Sequence, residues 1–587
     1  MTASRNRRGG LSLVAAAALL AAGLPILGAC GGGRRAPPTA DTGAPPASGP
    51  LSLMTAPLTE PGPPLQAPGP APDTTDPRGA ALPAPVAEAP LSTAVALSPA
   101  GTEALQDLVG GAVWAGSDAA AAGFLLDRLP VPARSAAARA LTRRLIAADP
   151  PWPELLPRLV ALRAATGDGA DLARLAGDPA AMGALPHEAI AAVVQALAAS
   201  PDRRQLCGAG LDRLADPAGS DSEVLRAVAL CRVAAGDGAG AQLMLDMARD
   251  RQPLDPGFEH LFATMSGGER ATPDAVKPAD ALSLWAGEAL ALAPAGGLDV
   301  VRVPVLNLGL LARGPGSLDS RIAAAERGVA VGVVAPSVLA TLYETGPAPA
   351  GAVTALPPGL RRQALHRVVV EASGPAVRAQ AVAAVVEAGA KDGLAAAMAA
   401  VEGRAIADVA AQSLPPPIGA GLVRAALWAG DIASAKAQLD RLGQVAGDGS
   451  AAAVDLLWPY RALLAPAAPL PGGFDDFTDA LPRGSDGTAR LRLTALLLDA
   501  LGAVLPDLLT AARGDGVAVS ISGPVEALIA AGRRGEALAS VLALLGDRPL
   551  AAVAPDELAY AVSVLRRIGL GDDARALAVE AALAAGL

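Results

Sequence analysis

Apolar residues in this chain recur with the period of a helix, over segments too short to be stable alone, and this constrains the fold more than any other feature. Ile432, Ala435, Leu439 and Leu442 stand at i, i+3, i+7 and i+10 and form one stripe, with Lys436 and Asp440 spaced i, i+4 on the other face. Leu558, Ala561, Val562, Leu565 and Ile568 form another, behind the start signal Pro555, Asp556, Glu557. Similar runs, separated by Gly, Pro and Asp, fill the chain from Pro99 onward. Isolated helices shorter than about 12–15 residues are marginal in water, so these stripes must be buried against one another. Aromatic residues make up only 2% of the chain, and abundant Ala and Leu disfavour sheets, whose strands prefer aromatic and β-branched side chains. The predicted class is all-α, an α-solenoid of stacked antiparallel helix pairs.

The pairs share a turn signature, Gly-x4-Ala: Gly236 with Ala241, Gly430 with Ala435, Gly532 with Ala537, and Gly569 with Ala574. Around them, "LWAGDIASAKAQLDRL", "LIAAGRRGEALASVLALL" and "LRRIGLGDDARALAVEAAL" resemble the helix-turn-helix centre of tetratricopeptide repeats. In that family the Gly permits the turn and the small Ala lets the two helices approach closely. The interval from Gly430 to Gly532 is three times the family's 34-residue period. The large aromatic positions of the family's first helix are mostly absent, so the resemblance implies a degenerate array and leaves an Ala-rich bundle open. Residues 346–359 and 465–485 carry little helix signal and read as hinges or inserted loops, the first dividing repeat regions at 99–345 and 346–587. "VVRVPVL", 300–306, reads as a candidate short strand.

The N-terminus addresses delivery. Arg5, Arg7 and Arg8 precede an uncharged run from Leu11 to Ala29, the pattern of a secretory signal, here residues 1–29. The run ends in Leu27-Gly28-Ala29-Cys30, which resembles the lipobox of bacterial lipoproteins. That resemblance implies cleavage before Cys30 and acylation of its thiol, and an anchor of several chains, each adding about 0.8 kcal/mol per buried methylene, holds firmly. The run is also long enough for a membrane span; the position of Cys30 favours the lipobox. Gly31 is not the aspartate that retains such lipoproteins in the inner membrane, which leans toward the outer membrane, facing the periplasm. Residues 30–98 form a Pro/Ala/Gly-rich linker, with 16 of the chain's 53 prolines between Gly31 and Pro90, and a composition that predicts disorder.

Two cysteines remain, Cys207 and Cys231. Ser200-Pro201 reads as a helix start, 217–219 as a turn, and Ser220-x-x-Glu223 as a capping box opening the next helix. That hairpin sets the two cysteines at matching heights on antiparallel neighbours, where a disulfide fits and an oxidising compartment permits it; two buried thiols are the alternative.

Chemistry-bearing motifs are sparse. His187, His260 and His366 lie far apart; "HEAIA" at His187 lacks the second histidine of a zinc helix, with Ala191 in its place. "GDGAGA" at Gly236 has no strand before it, and no Gly-Lys pair offers a phosphate loop. "FDDFTD", with Asp475, Asp476 and Asp479, lacks calcium-loop spacing. No metal, cofactor or catalytic residue is assigned. A net charge of −10 argues against nucleic acid as a partner. The expected function is therefore that of a non-enzymatic scaffold, held on the membrane by its N-terminal lipid, for an envelope protein or peptide. The alternative is a cell-wall-associated enzyme or a regulator of one.

Overall fold

Gly236, Gly430, Gly532 and Gly569 adopt left-handed backbone, with φ of 83°, 72°, 73° and 95°. In each case the amide of the next residue reaches back to a carbonyl one helical turn earlier: Asp237 to Arg232, Asp431 to Ala426, Arg533 to Leu528, and Leu570 to Leu565. This is the Schellman closure of a helix, and glycine suits it because a Cβ at that φ crowds the following carbonyl. The chain then re-enters a helix within two residues. The pairs are Ser222–Ala234 with Gly238–Arg251, Pro416–Trp428 with Ile432–Val445, Ser522–Ala530 with Arg534–Leu545, and Pro555–Arg567 with Gly571–Ala584. Ala241, Ala435, Ala537 and Ala574, early in the second helices, are completely buried. A methyl there lets the two helices pack closely.

The computed structural model describes residues 113–587 apart from 149–151, 168, 177–181, 183–184, 201–202, 209–220, 297, 350–352, 446–450, 467–468 and 516–521. Leu27, Gly28, Ala29, Cys30 and the linker lie outside these residues. Among the described residues every regular element is a helix, and neighbours in sequence pack as antiparallel pairs: an all-α solenoid. Helix starts follow two recipes. Asp118, Ser135, Asp221, Asp237, Asp255, Asp280 and Ser317 accept first-turn amides through their side chains. Elsewhere proline occupies the first turn, as at Pro336, Pro358, Pro375, Pro416 and Pro555.

Three local readings change. Residues 300–306 are turns leading into a 3-10 helix, Val305–Asn307, because Pro304 lacks an amide and no strand among the described residues offers a ladder. Within 465–485 lies a helix, Phe474–Ala480, held by Phe477 stacking on Trp458 at 5.4 Å between centroids. The helix carrying Cys231 starts at Ser222 and is capped by Asp221, which accepts the Glu223 amide at 2.9 Å.

The first described helices pack on the last. Ala119–Leu126 and Ala136–Ala147 lie against Arg534–Leu545, and Ala136–Ala147 also lies against Gly571–Ala584. Leu126, Leu141 and Leu145 are fully buried there. Polar bonds fix the register: the Gly535 amide donates to the Val113 carbonyl at 3.0 Å, and Arg144 pairs with Asp573. The Glu580 carboxylate accepts from Ser135 Oγ at 2.8 Å and from the amides of Ala136 and Ala137 at 2.8 and 2.9 Å. These are the orphan donors of a helix N-terminus, satisfied here from the far end of the array.

Candidate functional site

The helix Pro358–Glu371 turns a polar stripe inward. Arg362, Gln363, His366 and Val369, at i, i+1, i+4 and i+7, are its buried residues. Around them converge Glu326 from Leu318–Val331, Tyr343 and Glu344 from Pro336–Thr345, and Asp392 and Glu402 from the segments flanking Ala395–Val401.

Two bonded groups share this junction. Glu326 receives Arg362 Nε at 2.8 Å, Arg362 Nη2 at 2.6 Å and the Tyr343 hydroxyl at 2.6 Å, and Asp392 takes the remaining side of the guanidinium. Burial works against the charge on Arg362, but the Glu326 carboxylate outweighs it and holds the guanidinium above its ordinary range. Burial and the same carboxylate push the Tyr343 phenol well above its usual value, so it remains a neutral donor. In the second group His366 Nδ1 lies 2.7 Å from Glu402 Oε1, and His366 Nε2 faces Glu344 at 3.6 Å. His366 is 3% exposed and Glu402 2%. Burial lowers the imidazole's affinity for a proton, and Glu402 with Glu344 overcomes it, leaving the pKa above the ordinary 6.5.

The stripe also holds the chain that follows Pro336–Thr345. Gln363 Nε2 donates to the Tyr343 carbonyl at 3.1 Å, and Arg367 donates to the carbonyls of Tyr343, Glu344 and Gly346. This segment forms one wall of a cleft of about 320 Å³, between 347–349 and 317–319 with Leu360 beside them. The cleft is open to solvent and lies outside the ionised core of the junction.

The remaining residues of interest are dispersed. Cys207 and Cys231 are joined, with Cα atoms 5.4 Å apart, tying Arg203–Gly208 to Ser222–Ala234. His187 is an exposed residue at a helix start, and Asp475 and Asp476 occupy the first turn of Phe474–Ala480. No cluster of three or more metal-ligating side chains, and no helix long and apolar enough to cross a membrane, occurs among the described residues. A second, partly buried polar junction joins Gln195, Glu223, Arg226 and Asp280, with the Arg226 guanidinium 4.0 Å over the Phe258 ring. Sequence reasoning missed both junctions and the Glu580 contact. The available signal was "RRQALHR", where a polar stripe with helical spacing occupies the place of an apolar one.

Comparison with known protein families, curated proteins and solved structures returns no match to this chain.

Proposed function

We propose that the chain is a bacterial envelope lipoprotein, anchored through Cys30 and probing the periplasmic space on a proline-rich linker, whose tetratricopeptide-like array is a scaffold for a protein or extended peptide. The observation that carries this reading is the array itself: antiparallel pairs closed by repeated glycine turns, with outer helix faces and the cleft beside Leu360 left available to a partner. The ionisable groups that converge most closely, His366, Glu402, Glu326 and Arg362, are buried in helix packing and not presented in the cleft. The Cys207–Cys231 bond supports an oxidising compartment, and the acidic balance of the chain speaks for a protein partner over nucleic acid.

Two experiments test it. Cys30→Ala is expected to abolish incorporation of labelled palmitate and to move the protein from the membrane to the soluble fraction; unchanged fractionation removes the anchor. In-cell crosslinking with peptide mapping is expected to place an envelope partner on the outer faces of successive pairs. Turnover of purified peptidoglycan by the wild-type protein would instead establish a cell-wall enzyme.

A further inference from the structure

His366 is the one histidine of the three in this chain that is fully buried, and it sits where a proton changes what two helices can do for each other. Its Nδ1 bonds Glu402 in either protonation state, since Nδ1–H can donate to the carboxylate whether or not the other nitrogen is protonated. Its Nε2 is buried without a hydrogen-bond partner, and the polar group facing it is the Glu344 carboxylate at 3.6 Å. An ionised carboxylate only accepts. A neutral imidazole therefore turns a lone pair toward another acceptor, whereas an imidazolium turns an N–H toward it. Glu344 belongs to the last turn of Pro336–Thr345, directly before the segment that walls the cleft.

We propose that His366 is a proton-operated latch: as an imidazolium between Glu402 and Glu344 it adds to the hold that Gln363 and Arg367 keep on the end of Pro336–Thr345, next to the 347–349 wall of the cleft, and on losing its proton it weakens that hold.

The charges around it favour this division of labour. Glu326 is already matched by Arg362 and the Tyr343 hydroxyl, and Asp392 also pairs with Arg362. Arg367 spends its donors on backbone carbonyls of 343–346. On the adjoining Pro375–Ala390 helix, Arg378 donates to the Ala372 carbonyl and Glu387 pairs with Lys391. Among the described groups facing the imidazole, Glu402 and Glu344 are thus the two carboxylates that its charge serves. A pKa raised in the folded state means that the added stability is complete below about 6.5 and is lost as pH rises through the folded value. The latch is accordingly closed in mildly acid medium and opens toward alkaline pH.

The proposal rests on the scaffold reading only in treating the cleft as binding surface, and its test needs no partner. The full-length protein, labelled with 13C at histidine Cε1, gives three imidazole signals, assigned with His187→Gln and His260→Gln. The His366 signal is expected to titrate above the ordinary histidine value of 6.5. Hydrogen exchange in peptides covering 340–349, corrected for intrinsic rates, is expected to lose protection over the same pH interval, about tenfold for each unit by which the His366 midpoint exceeds 6.5. Glu402→Gln is expected to bring the His366 midpoint down and to flatten that pH dependence. A His366 midpoint at or below 6.5 overturns the latch, as does a raised midpoint with exchange in 340–349 indifferent to it. Failure to find a crosslinked partner would bear on the scaffold alone.

Discussion

Replacing Glu580 by alanine tests whether the two ends of the array hold each other. The carboxylate accepts three hydrogen bonds, from Ser135 Oγ and from the Ala136 and Ala137 amides. Ser135 still caps the Ala138 amide through its own Oγ at 3.1 Å in the variant, so the helix keeps part of its start. The loss is confined to donors left unmatched, and at about 1 kcal/mol for each partly buried bond it comes to about 3 kcal/mol. Arg139 adds to it: burial pulls its guanidinium down to about 10 against the attraction of Glu580, and removing the carboxylate leaves burial less opposed. A unit of about 500 residues unfolds with an entropy near 1 kcal/mol/K, so the melting temperature should fall by about 3 °C. Hydrogen exchange should quicken specifically within 113–148 and 534–584. Glu580→Gln, which keeps one carbonyl acceptor, should lose about half as much. A melting point within about 1 °C of wild type, with exchange in 113–148 unchanged, refutes the reasoning.

Four other outcomes follow from the structure. Arg362→Leu leaves Glu326 buried with the Tyr343 hydroxyl but no guanidinium, and should cost about 3–5 kcal/mol in urea denaturation, with much of that recovered in the Arg362→Leu/Glu326→Leu double variant. Ala291 occupies a left-handed position, φ 55°, and its neighbour Leu292 makes the same backward bond to Gly287 that closes the glycine turns; Ala291→Gly should stabilise by about 1 kcal/mol, seen as a raised thermal midpoint. A Cβ on Gly535 would stand 2.5 Å from the Val113 carbonyl oxygen, so Gly535→Ala should destabilise by about 1–3 kcal/mol and expose 113–126 to proteolysis. Cys207→Ser/Cys231→Ser opens a loop spanning 24 residues, whose closure is worth about 3.5 kcal/mol by chain entropy; the variant should match the dithiothreitol-treated wild type in denaturation.

The parts of this fold that were legible from the sequence are those written in local terms. Gly430 and Ala435 announce a turn and a close approach because both requirements are settled within one hairpin. The same Schellman bond occurs at Gly332, Gly393 and Gly502, where residues Val333, Leu394 and Ala503 reach back to Gly328, Gly389 and Leu498. None of these has alanine five positions on, so the motif alone could not reveal them. Arg362 and His366 were hidden for the opposite reason: their helix follows the periodicity rule with polar residues on the core face, and the carboxylates that make this tolerable come from two other helices and from the segments flanking Ala395–Val401. Nothing near Glu580 in sequence indicates a partner at Ser135. Such a contact is fixed by how the rotation of successive pairs accumulates around the array, a quantity that no short window of residues contains.

The meeting of Ser135 with Glu580 also changes how the molecule resists disorder. A linear stack of repeats loses structure from its ends, because each terminal pair has a neighbour on one side only. Here the pair at each end is the other's neighbour, and the described array has no outermost repeat at which fraying could begin. A contact spanning 445 residues is entropically expensive to form early. Closure therefore belongs late in folding, and once made it should bind the whole array into a unit that opens all together or hardly at all.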